Sequence, residues 1–557
     1  MRCPLGSILA GLLSLAVSPQ GSGAQEEPPD LGISLDSLLS MPVSTAATYE
    51  QRQIDAPAFV TIVTQEDIRR FGYRTLEEVI QAQVGFYSAN DRQFAEIGFR
   101  GVGRTGNFNN KLLLLVDGHS INDDFTGGAR VGPTLGIDLD AVDRIEIVRG
   151  PTSALYGARA MLAVVNLVTL KGRDLDRLEV IGELGTLGTR GVSARFGSVI
   201  GPDIDVAAAA SWGSTDGEDL YYPELDLPGL NSGWARNLDW DRFLRALTTV
   251  RYRDFFLQAS VAKRETGIPT GAYGISFNHP DARSEDRNVF LEGRYERSFS
   301  GATHISARGF YDYNENRGAY PFSDSETGGG LTQRIAAGVE SLGTQLKLQW
   351  DPSGIQRLVL GVEGQRVFRA TQRVSPTPEY TSPVDEPYHI LSAFFQDELQ
   401  ITPDLALTLG FRVDNYSNGR HATTPKGALV YHASPTTTFK LLAGEAFRAP
   451  NLLEMYVTYP QRALLGNPDL DPERIRSMEL VVEQRLGPLA FTGVAFLSVL
   501  SDLIELVEVQ VPDSLVLFGR YAFEHQNISN ARSKGFDVEV RAGLPFGVMA
   551  RAGYGYH

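Results

Sequence analysis

Ser120 beside His119, and Asp138 two residues before Asp140, are the pairs in this sequence that could move a proton or attack an electrophile. Each pair stands alone, with no third group spaced to orient it, so no catalytic constellation forms and no enzymatic activity is expected. The eight histidines show no helical metal-ligand spacing, and the single cysteine, Cys3, excludes both a disulfide framework and a thiolate zinc site. Asp216, Glu218 and Asp219 offer oxygen ligands that would suit Ca²⁺. There is no nucleotide-binding loop, and no cofactor is expected. With 51 Lys+Arg against 67 Asp+Glu, a formal charge of −16 and no basic stripe, nucleic acid is excluded as a partner.

The elements that must position these residues fall into four stretches. Residues 1–24 begin with Met1 and the positive Arg2, continue with an apolar run and end in Ser22-Gly23-Ala24, the layout of a secretory signal peptide. Residues 25–54 open Pro- and Glu-rich and read as a flexible leader. Residues 55–172 read as a compact mixed α/β unit. A β-branched strand over 58–63 leads to a helix over 65–71 that Thr64 caps and Gly72 ends. Thr75 and Glu78 predict a capping box for a second helix, and strands follow at 96–100, 111–117, 144–149 and 164–170.

From 175 to 557 the pattern becomes monotonous. Leu346, Leu348 and Trp350 point one way and Gln345, Lys347 and Gln349 the other, and this period of two recurs down the chain. Short turns near 201, 253, 351–354, 402–404, 487 and 544 alternate with long polar loops. Period-two strands suit a secreted sandwich as well as a membrane barrel, but this strict turn-and-loop alternation favours a transmembrane antiparallel β-barrel.

Motifs in a fixed order carry a family resemblance. They run Ile97-Gly98-Phe99-Arg100-Gly101, Leu115-Val116-Asp117-Gly118, Asp143 to Pro151 through Glu146 and Arg149-Gly150, and Ser153-Ala154-Leu155-Tyr156-Gly157. This series resembles the plug domain of TonB-dependent outer-membrane receptors. In the barrel half, Gly410-Phe411-Arg412-Val413-Asp414, Phe447-Arg448-Ala449-Pro450 and Asn467-Pro468-Asp469-Leu470 resemble the family's later landmarks. One departure is Met161-Leu162-Ala163, where the family usually carries a Gly-Gly element.

The resemblance implies a plug inside the barrel lumen, in the Gram-negative cell outer membrane, bounded by lipid and probed by TonB. Glycines at 101, 118, 150 and 157 suit positive φ or close backbone approach, and Arg100, Arg149 and Glu146 read as packing charges within the plug or against a polar wall. The candidate TonB box is Pro42, Val43, Ser44, Thr45 and Ala46, a segment placed to add as a strand to TonB. Ligand would meet the plug's outer loops at Arg92, Phe94, Arg104, Asn107, Phe108, Asp124, Phe125 and Arg130, and the outer barrel loop at Tyr221, Tyr222 and Trp234, whose rings suit a flat or cationic ligand. An iron–siderophore complex is the family's commonest cargo, with cobalamin, haem or another nutrient as alternatives. A passive porin would lack the plug, and a surface adhesin or docking role would add to transport without replacing it. A monomer is expected. The alternation counts about seventeen strands against the ~22 of plugged barrels, so the barrel is expected to be incomplete, with His557 in mid-strand.

Overall fold

The computed structural model describes residues 41–45, 49–103, 105–175, 177–323, 330–376, 383–458, 464–510, 521–544 and 548–557. The 1–24 signal and the leader up to 40 therefore lie outside the described residues, as do Ala46 and Arg104.

The plug forms where the sequence places its caps. Thr64 accepts from the Asp67 amide while Asp67 reaches back to the Thr64 amide, and Gly72 closes the Gln65–Phe71 helix at φ 69°. The box expected at Thr75 is only half made. Thr75 Oγ1 accepts from the Glu78 amide at 3.2 Å, but the Glu78 carboxylate turns to the Arg74 amide at 2.7 Å. Five strands make the plug sheet in the order Phe59–Thr64, Val142–Arg149, Ala163–Thr169, Leu112–Val116, His119–Ser120. Its residues Ile145, Ile147, Leu114 and Val165 pack under the Leu76–Gln81 helix with Val79 and Ile80. Met161 is fully buried in the same core.

Around the plug the described residues build one 19-stranded sheet, running almost wholly in chain order. Val384–Asp385 and Leu464–Leu465 are two-residue clips, and setting these two aside leaves seventeen full strands, nearest neighbours being antiparallel. The outermost strands, Leu178–Leu184 and Val548–Tyr556, each have one partner, so the sheet is not closed among the described residues. The loop alternation is less strict than the sequence suggests, because 417–420 joins two strands at the loop rim in a tight turn.

Burial is inverted relative to a water-soluble sandwich. Leu346 and Trp350 are 54% and 46% exposed on the outside, while Gln396 and Gln258 are fully buried within. An apolar band facing outward and a polar lumen are what a strand needs when hydrocarbon replaces water. No helix among the described residues is long and apolar enough to cross a membrane, which says nothing of strands.

Candidate ligand path and plug anchors

The candidate TonB box is tied down. Pro42–Val43 pairs antiparallel with Gln51–Arg52, and Val43 is fully buried with Ala56, Ile62, Leu115 and Val164. Glu146 Oε2 accepts from the Ser44 amide at 3.2 Å, the Thr45 amide at 3.1 Å and Thr45 Oγ1 at 2.5 Å. Arg144 Nε holds the other oxygen at 3.0 Å. The Tyr156 hydroxyl donates to the Thr45 carbonyl at 2.8 Å, and burial and then the Glu146 charge push its phenol pKa up, which keeps it a donor. Glu146 thus serves the N-terminal segment rather than the barrel wall.

The plug arginines do reach the wall. Arg100 Nη1 lies 2.8 Å from Glu479 and Nε 3.0 Å from Asp537, with the guanidinium 3.9 Å over the Phe496 ring. Arg149 donates to Thr61 at 2.9 Å, stacks 4.4 Å from Phe59 and stands 3.9 Å from Glu539. The backbone comes just as close: a Cβ on Gly150 (φ 85°) would sit 2.7 Å from Glu479 Oε1, and one on Gly157 (φ 73°) 3.0 Å from the Arg412 guanidinium. Gly101 and Gly118 also hold positive φ, at 77° and 84°. Asp117 binds inside the plug to Thr169 Oγ1 at 2.6 Å and to the wall at Gln258, 2.7 Å away.

A cavity of about 1220 Å³ lies between the plug and the wall. Its lining runs from the short-turn rim, at Arg253, Gly301 and Asp351, to the loop rim, at Asn418 and Asn451. Pro42, Ser44 and Tyr49 line it at the short-turn end. At the loop end the centre is Asp124, which takes Arg159 at 2.8 Å, Gln365 at 2.8 Å and Ser341 at 3.1 Å, while the Tyr388 hydroxyl donates to its carbonyl at 3.1 Å. Burial pushes the Asp124 carboxyl up, against the pull of Arg159.

The other loop residues singled out by sequence sit elsewhere. Phe125 is buried with Leu452 and Met455 under the outer loops. Arg130 pairs with Asp286 at 3.0 Å, and Arg92 stands 3.5 Å from Asp239. Phe94 and Phe108 meet edge to face at 5.3 Å, Phe108 and Asn109 both at positive φ, and Asn107 caps Asn109 at 3.0 Å. Tyr221 and Trp234 face each other at 5.2 Å, and Tyr222 packs on Phe277 at 5.7 Å. Of these described candidates Asp124 lines the cavity, joined there by Arg159, Tyr388, Tyr416, Arg412 and Asn451, which carry no local sequence signal for that place. Asp216, Glu218 and Asp219 do not gather: among the described residues no three His, Cys, Asp or Glu side chains converge as a metal site.

Comparison with known proteins follows this geometry. Residues 52–164 match the TonB-dependent receptor plug domain and residues 211–557 the TonB-dependent receptor-like β-barrel, so the chain belongs to the TonB-dependent receptors, a family of outer-membrane receptors and transporters. It is 26% identical to an iron-regulated outer membrane virulence protein of Vibrio cholerae over 92% of this chain and 77% of that one. It is also 26% identical to the vitamin B12 transporter BtuB of V. cholerae, over 79% of this chain and 66% of the transporter. In fold it is similar to the siderophore receptor PirA of Acinetobacter baumannii (TM-score 0.67, 17% identity, 89% and 80% of the two chains). The ferric enterobactin receptor PfeA of Pseudomonas aeruginosa is a second fold neighbour (0.69, 19%, 90% and 80%).

Proposed function

We propose that this receptor takes up a scarce ligand, an iron–siderophore complex, across the outer membrane, and that TonB drives the uptake by pulling on the segment at Pro42–Val43. Residues 1–24 serve as the export signal, and the chain works as a monomer. One observation carries the reading: the cavity beside the plug is lined at both rims, and its short-turn end is lined by the candidate box itself. Ligand caught near Asp124, Tyr388 and Tyr416 would face a path whose far end shifts when the box is drawn away. The likeness to vitamin B12 transporters makes cobalamin the second cargo to test.

The test is uptake of radiolabelled ferric siderophores and of cobalamin by a deletion strain carrying the intact gene or Val43→Pro. Proline removes the amide that an added strand must donate. Uptake should vanish while surface binding of the cargo stays. Normal uptake by the proline variant would move the box elsewhere, and no gain from any chelate would remove the siderophore assignment.

A further inference from the structure

His119 and Ser120 have no chemical task in transport, yet His119 is gripped by the wall. Its ring is 1% exposed. Nδ1 lies 3.0 Å from Glu292 Oε2 on the Arg283–Ser300 strand, and Nε2 lies 2.8 Å from Asp312 Oδ1 on the Thr303–Ser323 strand. Phe290 and Phe310 of the same strands stand against the ring at 4.6 and 5.2 Å. The neighbouring backbone is held as well. Arg294 donates to the Asp117 carbonyl at 2.7 Å and Arg308 to the Gly118 carbonyl at 2.9 Å. Both arginines also approach Glu292, at 2.5 and 3.8 Å, and Gln258 holds the Asp117 carboxylate. Asp117, Gly118, His119 and Ser120 all line the cavity beside the plug.

We propose that His119 is a positioning residue, a charged pin that locks the 117–120 turn of the plug against Glu292 and Asp312 and so narrows the path beside it. Nε2 is hydrogen-bonded to Asp312, and Nδ1 faces Glu292 Oε2 at ion-pair distance outside hydrogen-bond geometry; a neutral imidazole would leave a lone pair against one of the two carboxylates, which favours the imidazolium. Burial opposes that charge, and the Asp312 and Glu292 carboxylates outweigh it, raising the ring to about 9. The folded value lies above the free value of about 6.5. The pin is therefore at full strength below about pH 6.5 and is lost as the pH rises through about 9. Arg294 and Arg308 keep their hydrogen bonds to the Asp117 and Gly118 carbonyls, so the turn slackens without the plug unfolding. The inference rests on the cavity being the ligand path.

A nitroxide on Ser120→Cys, in a Cys3→Ser background, reports the turn by electron paramagnetic resonance in outer-membrane vesicles. With His119 present the label should be immobile below about pH 8 and mobilise with a midpoint near 9. His119→Gln should leave it mobile at every pH, with the step gone. His119→Arg should keep it immobile and move the midpoint up by more than about two pH units, since arginine stays charged to about pH 12. A missing step in the parent, a step that survives in His119→Gln, or an arginine variant as mobile as the glutamine one would each overturn the pin. Radiolabelled-chelate uptake by the unlabelled parent is measured alongside, so loss of the transport reading and loss of the pin are scored separately.

Discussion

Glu146 is a carboxylate with no exposed surface, and it has three donors on one oxygen and Arg144 on the other. A buried charge is tolerated when its lone pairs are filled by donors, and here three of them come from Ser44 and Thr45. Glu146→Gln keeps the shape but turns an NH₂ either toward the Ser44 and Thr45 amides or toward Arg144. Each orphaned donor costs about 1–3 kcal/mol. The segment should loosen without ligand, and a thiol at Ser44→Cys should react with a maleimide several-fold faster when combined with Glu146→Gln than when Glu146 is kept. Equal rates would show that Val43's burial, not Glu146, sets the docking. The sequence offers Val43 only as an extended, β-branched residue. That it is buried against Leu115 and Val164 depends on residues far along the chain, beyond the reach of any local pattern.

Elements show the same division. The Thr64 cap, the Gly72 stop and the β-branched strands were legible because each depends on neighbours within a turn or two. The half-made box at Thr75 was not, because the Arg74 amide competes for Glu78 and only the folded chain decides which amide it takes. Across elements, Arg100 joins the plug's Ala95–Phe99 hairpin region to two barrel strands through partners 379 and 437 residues away. Arg100→Ala would strand Glu479 as an uncompensated buried charge and leave Asp537 only its contact with His557, a loss of about 3–5 kcal/mol. Hydrogen exchange should then rise in plug strands at a lower urea concentration while the barrel strands keep their protection. Arg100→Lys should recover little, because a single ammonium cannot span both carboxylates. Unchanged plug protection in the alanine variant would mean that the Gly150 and Gly157 contacts hold the plug by themselves.

For the whole molecule, the outward leucines and inward glutamines define the solvent. Leu346→Arg puts a charge on the lipid face, with a destabilisation of up to about 2–4 kcal/mol near the midplane, whereas Gln349→Arg, one strand face inward, should cost little. Urea titrations of the two variants folded into lipid vesicles compare them directly, and equal losses would contradict a lipid-facing Leu346. The order of plug motifs, with period-two strands between alternating short turns and long loops, pointed to the family and to the plan of a plug within a β-barrel, and the family match agrees. Both signals are local: a motif is contiguous, and alternation needs only the next residue to face the other way. The cavity and its lining were decided by tertiary structure alone. Tyr388 meets Asp124 across 264 residues, and His119 meets Asp312 across 193. Such meetings depend on how the sheet wraps the plug and in what register, a property of the assembled whole that no stretch of sequence carries.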